Sequence, residues 1–437
     1  GKVIRYMDSL DKLLQNKYRR LDSPWSGMTD MKNIILQFNL MRMLGSMPIS
    51  AMTDMGQIIS RVGMGRSARM LGKLIASPKS FKGMTKRNAA LQAARIEVIA
   101  AQRMNKLALT DDMYPAMGAG ARVMSNVGTQ FVKHTGMSHM NATTKSFVTL
   151  SYMDDIIRLA LGEKQMTKSD ITTFAQLGLG RKDFDEIARL YKKLGDDADM
   201  EGATVHIPNI DRWVDSQGDE LPIAEKLKLL LHKEANTAVV TPGLGDLPMW
   251  MRSHTGQVVG QFKSFSFSAV NRMMIPGIQK MIMGEPSAYV GFMTQLGLGG
   301  MVYGLKSYMY GKETSDDPGD WIREAITRSG YFGIFTDINA IAEKISQGKV
   351  GLAAIPGLGD EVNSRYYTRS VVGDMLGPSF GTANDMLRAI SSMFSDEMTR
   401  SDLRAIRRMI PYQNLWYLRN GINEIEELSA TALGIDS

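Results

Sequence analysis

Few residues in this chain could do acid–base or metal chemistry, and they are widely spaced. The five histidines are His134, His139, His206, His232 and His254. No two of them lie four residues apart, the spacing that places two zinc ligands on one face of a helix. Cysteine is absent, which excludes thiolate chemistry and cysteine-bound zinc. We therefore predict no metal site and no cofactor.

Three pairs of adjacent carboxylates are the remaining candidates for catalysis. They are Asp154/Asp155, Asp196/Asp197 and Asp316/Asp317. Glycosidic cleavage needs one carboxyl group with a raised pKa in a cleft, whereas adjacent acids are also common on polar surfaces. The chain contains no GxxxxGK[ST], GxSxG or HExxH motif. We therefore predict no catalytic residues.

A stretch rich in cations and aromatic residues suggests contact with a membrane or with a partner protein. No acidic residue lies between Asp246 and Glu285. The residues of this stretch that we expect to make the contact are Trp250, Phe262, Lys263, Phe265, Phe267 and Arg272. Cations and aromatic side chains together favour the surface of an anionic bilayer.

The segment that follows, residues 286–305, carries no charge and adds Tyr289 and Phe292 to the expected contacts. Its twenty residues are about the length of a bilayer-spanning helix, but five of them are glycine. We predict a conditional membrane segment that needs close packing against copies or neighbours. Gly300 and Gly304, at GxxxG spacing, and Gly297 would allow such packing. The alternative is a buried, glycine-rich helix pair of a soluble protein.

The positive charge of the chain is concentrated in one region. Residues 61–153 carry fourteen lysines and arginines against three acids, a net charge of +11 in a chain whose total is +7. This excess suggests a phosphate-rich partner, either nucleic acid or anionic lipid, and solvated basic helix faces are the alternative. The expected contacts are Arg61, Arg66, Arg69, Lys73, Lys82, Lys86 and Arg87.

Hydrophobic spacing predicts helices along almost the whole chain. Residues 85–110 and 139–162 are the clearest long helices, and residues 181–194 form a compact one. Residues 204–207 and 237–241 are the only strand-like runs. We predict an all-α fold of extended multi-helix bundles, with long connections punctuated by Gly and Pro and little or no sheet.

Two features predict helices near the end of the chain. Ser401 and Asp402 can cap a basic helix that Pro411 ends. From Leu415 to Ala432 apolar residues recur every three or four positions, with glutamates between them. This pattern predicts an amphipathic helix that packs on a core or on another copy.

Composition divides the chain into five regions. We predict N-terminal helices in 1–60, a basic helical domain in 61–195, a linker and amphipathic helix in 196–246, a membrane-active or core helical region in 247–310, and a C-terminal helical domain in 311–437.

Three short blocks resemble one known family. Residues 260–277 read GQFKSFSFSAVNRMMIPG, residues 407–419 read RRMIPYQNLWYLR, and residues 378–384 read PSFGTAN. These blocks resemble the C-terminal region of large internal virion proteins, or ejection proteins, of short-tailed bacteriophages, a type shared with "large polyvalent" proteins of phages and mobile elements. We expect Trp416 and Tyr417, in the second block, to contact a membrane or a partner.

The resemblance implies a structural protein that is stored in the virion interior and ejected at infection. It would then help to form a channel for phage DNA across the host cell envelope, in the periplasm and inner membrane. The implied partners are copies of itself in a ring, other ejection proteins, the portal, phage DNA and the host inner membrane. Some members carry a transglycosylase domain elsewhere in the polypeptide, and no matching catalytic Glu motif occurs here.

Two other classes of function remain open from the sequence. The first is a soluble nucleic-acid-binding helical protein, with residues 61–153 as the binding arm. The second is a fragment of a peptidoglycan-cleaving phage enzyme, which includes the case of a non-catalytic part of one. Salt-dependent DNA binding without vesicle binding would favour the first, and cleavage of peptidoglycan would favour the second.

Overall fold

Helices dominate the chain, and this confirms the all-α prediction. The computed structural model describes residues 26–68, 119–166, 170–171, 174–175, 178–200, 203–240, 246–252, 254–358, 378–392 and 398–435. The helix predicted for residues 85–110 lies outside these ranges.

The first half of the described chain contains seven labelled helices and one hairpin of two antiparallel strands. The helices are α1 (Ser26–Met43), α2 (Met47–Ser50), α3 (Asp54–Val62), α4 (Ala119–His134), α5 (Met137–Ala160), α6 (Arg181–Leu194) and α7 (Pro222–Ala238). The strands are β1 (Asp196–Met200) and β2 (Ala203–Ile207), paired in register from Asp196 opposite Ile207 to Met200 opposite Ala203.

The second half is a series of helices joined by short connections. These helices are α8 (His254–Val259), α9 (Lys263–Ala269), α10 (Ile275–Ile282), α11 (Pro286–Met309), α12 (Pro318–Arg328), α13 (Ile334–Ser346), α14 (Pro378–Ser392), α15 (Arg400–Met409) and α16 (Arg419–Ala432). Turns of 3-10 helix lie at Ala51–Thr53, Ile210–Arg212, Met249–Arg252 and Leu352–Ala354, and a π-helical turn at Val270–Met274 joins α9 to α10.

Several predicted elements agree with the structure, and others need correction. α5, α6 and β2 lie where the spacing of apolar residues predicts them. The predicted strand at 237–241 is wrong at its start, because Thr237 and Ala238 are the last residues of α7. The predicted cap of the basic helix is also displaced. The N-cap of α15 is Thr399, whose side chain accepts a hydrogen bond from the Asp402 backbone NH while Asp402 accepts one from the Thr399 NH.

The largest hydrophobic core lies between α3, α5, α6, α7 and β2. Ile58, Ile156 and Ile187 are completely buried there, and the Trp213 ring lies among them without exposure to solvent. This part of the chain therefore holds most of the apolar burial that stabilises the fold.

A second, smaller core ties the C-terminal segment to the first helices. Leu40 of α1 and Phe131 of α4 are fully buried together with Leu415. The Tyr412 hydroxyl donates to the carbonyl oxygen of Val127 at 3.1 Å, and its ring meets that of Phe131 edge to face at 5.1 Å. Leu415 is thus a core residue that precedes α16, not the first turn of that helix.

The structure places contacts across all four boundaries that composition suggested. α3 runs through the limit at residue 60, and the largest core joins Tyr191 to Val205 across the limit at 195. Arg272 pairs with Asp246 across the third limit, with its Nε 2.7 Å from Oδ2. α12 packs against α11 across the fourth. The five regions therefore pack on one another.

Candidate membrane-contact site

The charge-free segment is the greater part of one long helix, α11, which packs closely against α3 through glycines. A Cβ atom on Gly56 would lie 2.5 Å from the Cβ of Gln295, and a Cβ atom on Gly291 would lie 2.7 Å from the carbonyl oxygen of Gly56. Both distances are shorter than any real contact, so only glycine permits this approach. Small residues do mediate helix contact here, but the contact is within one chain.

On another side, α11 packs against α12. A Cβ atom on Gly299 would lie 2.4 Å from the carbonyl oxygen of Ala325. The predicted pair Gly300 and Gly304 faces the Trp321 ring, with modest space for a methyl group at 3.8 and 3.5 Å. Gly297 has no atom within 4 Å of its Cβ position and is exposed.

Two glycines of α11 make a matched pair for a stability measurement. We expect Gly291→Ala to lower the free energy of unfolding by about 1–3 kcal/mol, because the new methyl group overlaps α3. We expect Gly297→Ala to raise it by about 0.5–1 kcal/mol, because alanine is the better helix former and the position is open. Urea unfolding followed by circular dichroism measures both, and effects of the same sign would contradict this helix packing.

The outward face of α11 is apolar along its whole length. Its exposed large residues are 39–76% exposed and are spaced by three, four or eight positions. They are Tyr289, Met293, Met301, Leu305 and Tyr308. The preceding helix, α10, presents Ile275, Ile278 and Ile282 in the same way, with Ile282 80% exposed. Spacings of three, four and seven place such residues on one helix face.

The only charged residues of 275–305, Lys280 and Glu285, do not interrupt this apolar surface. The Lys280 Nζ lies 3.6 Å from Glu285 Oε2 and donates to the carbonyl oxygen of Ser60 at 3.3 Å. Burial lowers the pKa of Lys280, with the neighbouring Arg61 acting in the same direction. We define the outward surfaces of α10 and α11 as the apolar face.

The aromatic residues predicted for the contact fall into two groups. Phe262 and Phe265 are half-buried and pack against the second core, and Phe267 is also half-buried. Phe292 is half-buried and meets the rings of Tyr331 and Phe332, with its centroid 4.8 Å from that of Tyr331. Exposed members are Trp250 at 49%, Tyr289 at 50%, Trp416 at 43% and Tyr417 at 49%.

The residues of the predicted contact that carry polar groups interact with other parts of the same chain or are partly buried. Arg272 donates from its Nη1 to the carbonyl oxygen of Asn236 at 3.4 Å, in addition to its ion pair with Asp246. Lys263 is half-buried at the start of α9. Trp416 donates from its Nε1 to the carbonyl oxygen of Thr135 at 3.3 Å and remains 43% exposed.

Two of the seven cations predicted to contact phosphate are described, and both have internal partners. The Arg66 guanidinium lies between Asp155, at 2.8 Å from Nε, and Asp170. Arg61 lies 3.7 Å from Glu234 and donates to the Arg272 carbonyl oxygen at 3.4 Å. The other five, Arg69, Lys73, Lys82, Lys86 and Arg87, lie outside the described residues.

The carboxylate pairs that the sequence offered for chemistry take structural roles. Asp154 and Asp155 are 2% and 1% exposed, and Arg158 and Lys164 pair with them at 3.0 and 2.9 Å. They are therefore interior groups and not part of a polar surface. Asp317 caps α12 by accepting the Gly319 NH at 2.9 Å.

Asp197 joins a small polar cluster around a buried histidine. His206 is 4% exposed, and its Nδ1 lies 2.9 Å from both Asp197 Oδ1 and the Tyr191 hydroxyl. The Tyr191 hydrogen bond, followed by that of His206, lowers the pKa of Asp197. Among the described residues no group of three or more ligand-type side chains could hold a metal ion.

Exposed apolar surface is concentrated in the second half of the chain. Of the 34 large hydrophobic residues that are exposed in the described ranges, 26 lie at or after Ile275. No described helix is both long enough and apolar enough to cross a membrane. The site is therefore a broad apolar surface on an all-α scaffold.

Together these features define an all-α protein in which, among the described residues, the cores lie mainly in the first half and the second half presents helices with exposed apolar side chains. The chain matches no protein-family model, no curated protein and no solved structure at a significant level.

Proposed function

We propose that this chain is a structural internal virion protein of a short-tailed bacteriophage. It leaves the particle at infection and helps to form a channel across the host cell envelope for phage DNA. The observation that most supports the proposal is the number of exposed large apolar side chains in the described residues from Ile275 onward. Exposed hydrophobic surface on this scale favours association, and a ring of copies, other ejection proteins, the portal or the host inner membrane would cover it.

The apolar face is the part of the molecule that we assign to the host inner membrane. Its side chains are exposed, and the only two charges of residues 275–305 pair with each other. A helical surface of this kind lies in the interface of a bilayer without spanning it. This assignment replaces the half-buried Phe262, Phe265 and Phe267 with the exposed residues of α10 and α11.

Protein content of the phage particle tests the proposal. Purified particles of the phage that encodes the chain are compared by quantitative mass spectrometry before and after DNA release is triggered. We expect the protein in filled particles, protected from added protease, and its loss from emptied ones. The capsid protein serves as the control because it stays in both. Absence from filled particles, or full retention after DNA release, would overturn the proposal.

A further inference from the structure

The cations in the last part of the chain are all arginine. No lysine follows Lys349, whereas eight arginines do. Arginine presents a planar fork of donors that binds a phosphate through two parallel hydrogen bonds, whereas lysine acts as a point charge. Any anion that binds this part of the chain through a cation must therefore be held by arginine.

Three of these arginines form a row along α15. Arg400, Arg404 and Arg408 are four residues apart, so they lie on one side of the helix about 6 Å from one another along its axis. The side chains of Arg404 and Arg408 are 51% and 50% exposed. We define these three residues as the arginine row.

Within the described ranges, Arg404 and Arg408 each share their carboxylate partner with another arginine. The ion pairs are Arg404–Glu426 (3.2 Å), Arg407–Glu426, Arg408–Asp385 (3.2 Å), Arg42–Asp385 (2.6 Å) and Arg388–Asp402 (3.9 Å). Glu426 and Asp385 are thus each shared by two arginines. Arg400 forms no ion pair within the described part of the chain. Glu424 and Glu427 of α16 are exposed, and neither forms an ion pair with the described arginines.

Two further arginines of this region, Arg407 and Arg419, are half-buried. The Nε atoms of Arg407 and Arg419 have no hydrogen-bond partner among the described residues. Arg419 lies over the Tyr310 ring at 4.8 Å. Burial, followed by the positive charge of Arg407, lowers the pKa of Arg419 to about 10. Burial also lowers the pKa of Arg407, with Arg408 and Arg404 acting in the same direction. The positive charges here repel one another, and an incoming anion would relieve that repulsion.

We propose that the arginine row binds several phosphates along one strand of a nucleic-acid backbone. A row about 12 Å long spans the axial rise of roughly three to four nucleotides of one strand. Three evenly spaced guanidinium groups along one line fit a linear series of phosphates better than they fit a single compact anion. The inference rests on the proposed function, because it assigns the phage DNA that the channel would carry to a surface outside residues 61–153.

The test is the salt dependence of binding to duplex DNA, measured by fluorescence anisotropy on the full chain. Arg404→Gln/Arg408→Gln removes two members of the row. Arg181→Gln/Arg189→Gln is the matched control, because it removes two exposed charges eight residues apart on α6. Arg404→Lys/Arg408→Lys keeps the charge and removes the fork. Arg400→Gln alters the residue of the row that has no described ion pair, and circular dichroism checks the folding of each variant.

Log K falls as log salt rises, and we expect Arg404→Gln/Arg408→Gln to reduce the magnitude of this slope by about 1.8, since each phosphate contact contributes about 0.9. The affinity at 0.1 M salt should fall roughly tenfold or more. The control should keep the slope of the unmodified protein, and the lysine variant should keep the slope but bind less tightly. If the double glutamine variant fails to fold, Arg400→Gln decides, with an expected decrease of about 0.9.

An unchanged slope in the folded glutamine variants would overturn the inference. It would also be overturned if these variants bound DNA normally but lost binding to phosphatidylglycerol vesicles, because the row would then recognise a lipid surface. A loss of DNA binding in these variants together with absence of the protein from phage particles would support the arginine row and refute the proposed function. The two failures are therefore distinguishable.

Discussion

Replacing Met293 and Met301 by aspartate should lower the binding of the protein to anionic vesicles at least tenfold. The two side chains are 64% and 43% exposed on the apolar face. Complete burial of a methionine side chain contributes about 1.5–3 kcal/mol, and about 1.4 kcal/mol corresponds to a factor of ten in affinity. The new carboxylates also meet the negative surface potential of the membrane. Flotation over a series of lipid concentrations measures the change.

Met31→Asp/Met64→Asp is the control for this experiment. Met31 and Met64 are 64% and 52% exposed, and both precede the apolar face in the chain. This variant makes the same charge change outside the apolar face, so we expect its binding to anionic vesicles to stay within about a factor of two of that of the unmodified protein. An equal loss in both variants would mean that net charge alone decides binding. Unchanged binding by the Met293/Met301 variant would remove the apolar face from the proposal.

Replacing Arg66 by methionine should lower the free energy of unfolding by about 3–5 kcal/mol, because it leaves a buried carboxylate without its partner. The Arg66 side chain is 14% exposed and that of Asp155 1% exposed, with 2.8 Å between Nε and Oδ2. Lys164 contacts both carboxylates, at 2.9 Å from Asp155 and 3.8 Å from Asp170, but its single positive charge cannot neutralise two carboxylates once Arg66 is removed. Urea unfolding followed by circular dichroism measures the loss.

Arg189→Met is the matched variant for Arg66, because Arg189 lies on α6 with its side chain 68% exposed. We expect it to change the free energy of unfolding by less than about 0.5 kcal/mol. If Arg66→Met were equally mild, and instead weakened DNA binding, Arg66 would be a phosphate contact as its position in the basic region 61–153 suggests. The two measurements together decide between an internal ion pair and an external contact.

The sequence predicts helices well where apolar spacing and helix ends agree, as in α5 and α6. The sequence-based prediction is wrong where residues with a helix-like or strand-like pattern adopt another structure. Leu415 continues the pattern of α16, but it belongs to a turn that enters the second core beside Leu40. Thr237 is β-branched like a strand residue, yet it closes the last turn of α7 because neighbouring helices bury it. Tertiary packing overrides local preference in both places.

The sequence predicts the stretch of chain in which the candidate site lies, but not which of its side chains are exposed and which are packed inside. Glycine spacing indicates close helix packing through Gly297, Gly300 and Gly304, whereas in the structure the closest approaches of α11 are at Gly291 and Gly299, and Gly297 is open. Which side of α11 is buried depends on where α3 and α12 pack against it. The sequence of α11 alone does not reveal those neighbours. Phe262 and Phe265 are apolar enough for either a membrane or a core, and only the fold shows that they pack inside.

The lysine-free end of the chain also determines which reagents can report on it. Amine-reactive cross-linkers join lysine side chains, and the last of these is Lys349. A lysine cross-linking map of an assembled complex would therefore show no link from residues 350–437, whatever they touch. Arginine-directed dicarbonyl reagents would reveal that region instead. Arg404 and Arg408, about half exposed, should react before Arg407, whose side chain is 14% exposed.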